Sequence, residues 1–282
     1  MPELPEVEIT ARRLDAALRG AEIESALAPG INTLKTFAPP LDALAGRRID
    51  GVRRRGKQVI VEVDGELALV MHLMSSGRLQ LFDARGSVRD RTARLLVRLA
   101  DGRELRLREF GTKQSAWAKL MPISALEREE SLTRLGPEAW PDPPADLRER
   151  LAGARPLHGA LRDQHVVAGI GRSWVDEILW SAQLSPFKRG GDLTDEELER
   201  LRLAIVTVLG AALEHYERVI ELPIPDKLPM PLAVHRHEGE PCPRCGTTLA
   251  SVNYEDYVMT YCPSCQTEGR VLKDRRLSRL LK

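Results

Sequence analysis

No apolar run in the 282-residue chain approaches the roughly 18–20 residues that a bilayer crossing requires. The opening octet, MPELPEVE, is acidic and lacks the apolar stretch of a signal peptide. No cysteine is left over beyond two close pairs, and no internal repeat is visible. Hydrophobic residues make up 43% and charged residues 29%. These features exclude an integral membrane protein, a secreted disulfide scaffold and a disordered chain. An excess of one charge sign is missing too. Forty-two basic residues against 41 acidic ones leave +1, so bulk composition offers no support for nucleic-acid binding. The expected compartment is the cytoplasm, and the length suggests about two domains.

Charge distribution says more than the total, because an electrostatic footprint need occupy only one face. Arg53, Arg54, Arg55 and Lys57 form one basic cluster. From Arg270 onward, Lys273, Arg275, Arg276, Arg279 and Lys282 are opposed only by Asp274. Each cluster reads either as a solvated face or as a contact for a polyanion.

Local patterns divide the chain. Pro5, Glu6 and Glu8 suit a helix start, and Val7, Leu14 and Leu18 recur at helical spacing until Gly20. Val59, Val61 and Val63 alternate up to Asp64-Gly65, and an apolar return strand runs from Leu67 to Leu73. The layout recurs around Asp101-Gly102, with Leu95, Val97 and Leu99 before it and Leu105 and Leu107 after. Asp-Gly between such runs is a strong hairpin signal, so the first half is mostly antiparallel sheet behind one leading helix. Gly136-Pro137, Pro141, Pro143 and Pro144 read as a linker. Helices follow at Leu147 to Leu151, at Trp174 to Gln183, and after a capping box formed by Thr194 and Glu197. A second proline-rich stretch, Pro223 to Pro231, precedes the cysteines.

All four cysteines fall in two knuckles, Cys242-Pro-Arg-Cys245 and Cys262-Pro-Ser-Cys265, with sixteen residues between. Such spacing lets four thiolates meet one tetrahedral ion on a zinc-ribbon hairpin. Two disulfides or unrelated buried thiols are the alternatives. Four protein ligands leave no open position for water, so one Zn2+ here would be structural and would supply folding energy.

The N-terminus is the second informative place. Removal of Met1 would expose Pro2 as a secondary amine, with an α-amino pKa near 7.7–8.0 rather than the lysine value of about 10.4. Such an amine attacks a sugar carbon and yields an iminium that is cationic without any added proton. Glu3 and Glu6 are carboxylates beside it, able to act as acid or base. From the residues alone, the segment reads first as a plain helix start with acidic first-turn residues.

Taken in order, MPELPEVE, Lys57 on a strand after a basic run, His72 in HLM, the GIGRSWVDEILW segment and the terminal pair of CxxC knuckles resemble one family. That family is the formamidopyrimidine-DNA glycosylase / endonuclease VIII group of bifunctional base-excision repair enzymes, and PELPE resembles its formamidopyrimidine branch. The resemblance covers nearly the whole chain, from Pro2 to about Gln266. It implies an α+β multidomain fold: an N-terminal helix on an antiparallel β-sandwich (1–133), a proline-rich linker (134–146), a helix–two-turns–helix domain (147–222), a zinc-ribbon hairpin (236–270) and a basic tail (271–282). It implies that Pro2 is the nucleophile, that Glu3 protonates the sugar or leaving group, that Glu6 supports proton transfer, and that Lys57 contacts phosphate and assists β-elimination. Arg108 and Phe110 would fill the space left by a flipped base and wedge the opposite strand. His72 and Gly169 to Arg172, Gly171 included, would hold phosphates. Met74 lies one position from the family's wedge methionine, which an ungapped match places at Ser75. Glu177 and Tyr257 complete the expected DNA-binding set. The expected partner is damaged double-stranded DNA in a bacterial-type nucleoid, bound by a monomer without a membrane.

Taken singly, several of these residues have plainer readings. Phe110 and Met74 read as core residues at a strand end, His72 as a satisfied core histidine and Glu177 as a helix-surface charge. The chain also departs from the family pattern. Tyr257 stands where the family usually carries arginine, Arg172 where it carries asparagine, His158 where it carries lysine, and Glu109 where arginine is common. The stretch Glu221 to Pro231 replaces a long base-capping loop. These departures bear on 8-oxoguanine recognition and on δ-elimination more than on Schiff-base chemistry. They also motivate an alternative, a damage- or abasic-site-binding paralogue with little or no turnover. A further alternative treats the zinc ribbon and tail as a protein- or RNA-binding module.

Overall fold

Pro5 near its first turn and Gly20 at φ +79 just past its end bound the first helix, α1 (Leu4–Leu18). The computed structural model of the chain describes residues 1–111, 113–153, 155–254 and 257–272. It divides into two compact units, Met1–Arg134 with Leu213–Pro229, and Leu135–Ala212 with Met230–Lys282. Among the described residues no helix is long and apolar enough to cross a membrane. The basic tail from Lys273 onward lies outside the described residues.

In the first unit, eight strands follow α1: β1 (Ile23–Leu27), β2 (Ile49–Arg55), β3 (Gln58–Val63), β4 (Leu67–His72), β5 (Gly77–Phe82), β6 (Ala93–Leu99), β7 (Glu104–Glu109) and β8 (Trp117–Pro122). They form two antiparallel four-stranded sheets, in the orders β2-β3-β4-β8 and β1-β6-β7-β5. A short helix, α2 (Glu130–Thr133), follows β8. Inward side chains of both sheets join one apolar core with Val7, Leu14 and Leu18 of α1. Val59, Val61 and Val63 enter this core as their alternation predicts, and Ile60 on the opposite face of β3 is fully buried too. Both Asp-Gly turns are hairpin turns. Asp64 and Gly65 adopt φ +49 and +61, and Gly102 adopts +93, the left-handed conformations that hairpin corners demand.

The second unit is helical, with α3 (Leu147–Leu151), α4 (Leu157–Arg162), α5 (Arg172–Ser181) and the start of α6 (Asp195–Val219). The predicted capping box opens α6. The Thr194 N–H donates to Glu197 Oε2 at 2.9 Å, and the Glu197 N–H donates to Thr194 Oγ1 at 3.2 Å. The proline-rich residues after Arg134 are not an unattached tether. Gly136 donates to the Gln164 carbonyl, Ala139 to that of Ala168, and the Ala168 N–H to the Pro137 carbonyl. The last elements among the described residues are a hairpin, β9 (Ala250–Asn253) against β10 (Val258–Tyr261), and a short helix α7 (Pro263–Thr267).

The turn from β4 to β5 carries Met74 and depends on Gly77. The Gly77 N–H donates to the Leu73 carbonyl at 2.8 Å, and a Cβ at Gly77 would lie 2.3 Å from that same oxygen. Since the obstacle is backbone, Gly77→Ala must displace the turn and should cost about 2 kcal/mol. Urea unfolding checks this, with Gly191→Ala, whose Cβ meets nothing closer than 3.7 Å, as the near-neutral comparison.

Candidate active site and metal centre

The N-terminal carboxylates are built into the start of α1. Glu3 and Glu6 are 1% and 2% exposed, and Pro2 is buried beside them. Glu3 is the N-cap. Its side chain accepts from the Glu6 backbone, while the Glu3 N–H donates to Glu6 Oε2 at 2.8 Å. Tyr216 donates its hydroxyl to Glu6 Oε1 at 2.7 Å. Burial and then the charges of Glu6 and Glu3 push the Tyr216 hydroxyl far above its ordinary range, so it remains a donor. Sequence reasoning missed Tyr216, because nothing local marks a tyrosine 210 residues away as the partner of Glu6.

Lys57 lies not on a strand, as expected, but in the two-residue turn between β2 and β3, where Arg55 pairs with Gln58. Gly56 at φ +56 supplies the first corner. Lys57 is 8% exposed. The basic run before it is largely neutralised. Arg53 meets Glu62 at 2.6 Å, and buried Arg54 meets Glu8 at 2.8 Å. Burial raises the Glu8 pKa, but the guanidinium groups of Arg54 and Arg12 outweigh it and leave the carboxyl below its usual range.

His72 ends β4 and stacks on Trp117 with centroids 5.7 Å apart. Its Nδ1 accepts the Met74 N–H at 2.9 Å, so the neutral ring carries its proton on Nε2. Burial, and then the charge of Lys57, lower its pKa to about 4. Met74 occupies the turn at φ +51, an uncommon conformation for a residue with a side chain. The Phe110 N–H reaches the Ser76 carbonyl at 3.3 Å, which joins the end of β7 to the turn that carries Met74. Phe110 is 42% exposed and is not a core residue. The Arg108 guanidinium lies 4.7 Å from its ring centroid and donates to Thr92 Oγ1 and Gln80 Oε1 at 3.0 and 3.2 Å. Glu109 turns inward instead, and its Oε1 accepts the N–H groups of Ser115 and Ala116 at 2.8 and 3.1 Å.

In the second unit Gly171 is the N-cap of α5 and Arg172 its first residue. The Arg172 guanidinium is 5.3 Å from the centroid of Tyr257. Glu177 is not a helix-surface charge. It is 4% exposed, and its carboxylate accepts the N–H groups of Ala233, Val234 and His235 at 2.8 to 3.0 Å. Burial raises its pKa, with Asp176 adding to the rise, against the opposing pull of the three N–H groups. Asp176 accepts the Thr260 N–H at 3.0 Å and meets His235 Nδ1 at 2.7 Å and His158 Nε2 at 3.2 Å. The acidic pair therefore ties α5 to the segment that leads into the hairpin.

Cys242, Cys245, Cys262 and Cys265 are free thiols whose sulfurs all lie within 4.8 Å of one another. Cys245 is 3.5 Å from both Cys262 and Cys265. A tetrahedron with zinc–sulfur bonds near 2.3 Å needs sulfurs about 3.8 Å apart, while a disulfide needs about 2.05 Å. The donors thus fit one tetrahedral ion. The Trp180 indole N–H points at Cys242 Sγ at 3.3 Å, a hydrogen bond that favours the thiolate.

Three family models match the chain in order: the formamidopyrimidine-DNA glycosylase N-terminal domain over residues 1–112, the formamidopyrimidine-DNA glycosylase H2TH domain over 135–222, and the zinc finger found in FPG and IleRS over 239–267. A formamidopyrimidine-DNA glycosylase of Exiguobacterium sibiricum is 32% identical, the match covering 94% of this chain and 99% of the relative. One from Chloroflexus aurantiacus is 33% identical over 94% and 98%. Among solved structures, the Lactococcus lactis enzyme in complex with DNA containing N7-benzyl-Fapy-dG has a TM-score of 0.84 at 28% identity, covering 94% of this chain and 100% of that one. The same enzyme with abasic-site DNA gives 0.82 at 27%, covering 94% and 99%. The chain belongs to the formamidopyrimidine-DNA glycosylase family, whose members are DNA glycosylases of base excision repair. Its four clustered cysteines are the site of one structural zinc ion.

Two outcomes follow from this geometry. A histidine with a folded-state pKa near 4 instead of 6.5 takes up its proton more readily in the unfolded chain. Stability should therefore fall as pH drops from about 6.5 to about 4 and level off below, and His72→Phe should flatten that slope in thermal melts. Glu177→Ala would strand three buried N–H donors and should cost about 3 kcal/mol. Glu177→Gln, which keeps one acceptor oxygen, should lose less in the same urea titration.

Proposed function

We propose that the protein is a bifunctional DNA glycosylase and AP lyase that works through its N-terminal proline. The observation that carries this reading is the pair of buried carboxylates, Glu3 and Glu6, held in fixed geometry next to Pro2. With Met1 removed, the lone pair of the Pro2 nitrogen attacks C1′ of the lesion nucleotide. The glycosidic bond breaks, and its electron pair leaves with the base as Glu3 gives up a proton. Opening of the sugar leaves an iminium between Pro2 and C1′. Loss of a C2′ proton then expels the 3′ phosphate by cleavage of the C3′–O3′ bond, and water hydrolyses the iminium to free Pro2.

The remaining expected residues divide between holding and wedging. Glu6, fixed by Tyr216, supports the proton transfers, and Lys57 contacts phosphate and assists elimination. His72 offers a neutral Nε2–H to a phosphate oxygen. Arg108, Phe110 and Met74 occupy the space left by the flipped base. Gly171, Arg172 and Tyr257 line the backbone. The substrate is damaged double-stranded DNA in the bacterial cytoplasm, and the enzyme acts as a monomer. By its three buried N–H bonds, Glu177 supports this arrangement from inside its unit.

Borohydride trapping on a duplex with one abasic site tests the chemistry, once mass spectrometry confirms loss of Met1. The wild-type protein should form a covalent adduct. Pro2→Gly should abolish it while retaining zinc, and Glu3→Gln should slow base release by about 10²–10⁴-fold. An undiminished adduct from Pro2→Gly would refute the assigned nucleophile.

A further inference from the structure

Tyr257 is the centre of a pile of flat groups in the second unit. Tyr254 stacks on it with centroids 4.4 Å apart and planes 11° from parallel. The guanidinium carbon of Arg162, the last residue of α4, lies 4.1 Å from the same centroid. Two planar groups that close cannot share one face of a ring, so Tyr254 and Arg162 cover opposite faces. His158 at 5.6 Å and Arg172 at 5.3 Å close the margin.

Arg162 differs from its neighbours in how its charge is used. Asp163 is engaged by Arg155 and His165, and Asp176 by His235 and His158. Among the described residues no carboxylate pairs with Arg162, and its side chain is half-buried. A guanidinium held over an aromatic face has already lost rotamer freedom and keeps N–H donors at its edge for another partner. That is the arrangement suited to gripping a phosphate oxygen pair. Tyr257 occupies the position where the family resemblance leads one to expect an arginine. The ring that stands there carries an arginine from another element on its face.

We propose that Arg162, mounted on the Tyr257 ring and flanked by Arg172, is a DNA-phosphate ligand of this protein and supplies the cation that position 257 lacks. The proposal rests on the DNA-repair reading above and adds a residue that reading does not contain. It also gives Tyr257 a definite part, as the platform that holds Arg162 in place.

The test uses full-length, zinc-loaded protein and a duplex with one tetrahydrofuran abasic analogue, with affinity measured across a salt series. Each phosphate contact adds about one to the slope of log affinity against log salt. Arg162→Ala should lower the slope by about one and weaken binding about tenfold at about 0.1 M salt. Arg162→Lys should keep the slope while binding more weakly, because charge persists and the stacked fork is lost. Tyr257→Phe should change little. Tyr257→Ala should match Arg162→Ala, and the double variant should lose no more than either alone. An Arg162→Ala slope equal to that of the wild type, whatever its affinity, would overturn the assignment and mark Arg162 as a brace. Absence of any salt-dependent binding by the wild-type protein would instead bring down the DNA reading, and this assignment with it.

Discussion

Two carboxylates are buried at the very start of the chain, and the first unit is organised around satisfying them. Burying a carboxyl group costs free energy unless hydrogen bonds replace the lost water. The first turn of α1 has N–H groups with no partner inside the helix, and reciprocal capping by Glu3 and Glu6 uses two of them. The third donor must come from elsewhere, and Tyr216 provides it. That demand fixes where Leu213–Val219 lies within the first unit. Arg13 reinforces the contact by donating to the carbonyls of Glu217 and Ile220 at the end of that helix. The network gives both carboxyl groups a fixed position.

The second unit solves the same problem with a second acidic pair. Asp176 and Glu177 are adjacent on α5, both buried, and together accept four backbone N–H groups from Ala233, Val234, His235 and Thr260. Here the carboxylates act as internal pins. They join the helical part to the hairpin that carries the zinc ligands, and Trp180 on the same helix extends the connection to Cys242. The metal and the acidic pair are therefore complementary constraints on a segment with a small apolar core of its own, Val234, Cys242, Leu249 and Cys262.

What could be read from the sequence was whatever is decided within a few residues. The acidic first turn of α1, the capping box of α6, the Asp-Gly corners and the paired cysteines are local signals with local causes. Lys57 was misplaced by one residue's worth of conformation, because a turn of two residues between long strands is invisible when the run RRRGKQ is polar throughout. Glu177 was misjudged for a different reason. A glutamate in a helix is normally solvated, and only the folded chain reveals three N–H donors converging on it from residues 56 to 58 positions away. Tyr216 and Arg162 escaped notice on the same ground, since their partners are set by tertiary packing rather than by spacing.

Charge on the strands of the first unit is used internally. Glu109 points inward and braces Ser115 and Ala116, so its carboxylate serves as an internal anchor. The proline-rich stretch after Glu221 is itself anchored. Gln80 donates to the Ile224 carbonyl, Arg78 reaches the Asp226 carbonyl, and the Asp226 side chain lies 3.5 Å from Arg108. With prolines limiting its backbone and Ile224 and Leu228 buried, this segment is held against the strands that carry Arg108. Gln80, Thr92 and two nearby carboxylates hold Arg108, and an arginine engaged in this way can take a new partner only by giving up present ones, a cost that a free side chain would not bear. The pinned segment and the strands beneath it thus fix the Arg108 side chain together.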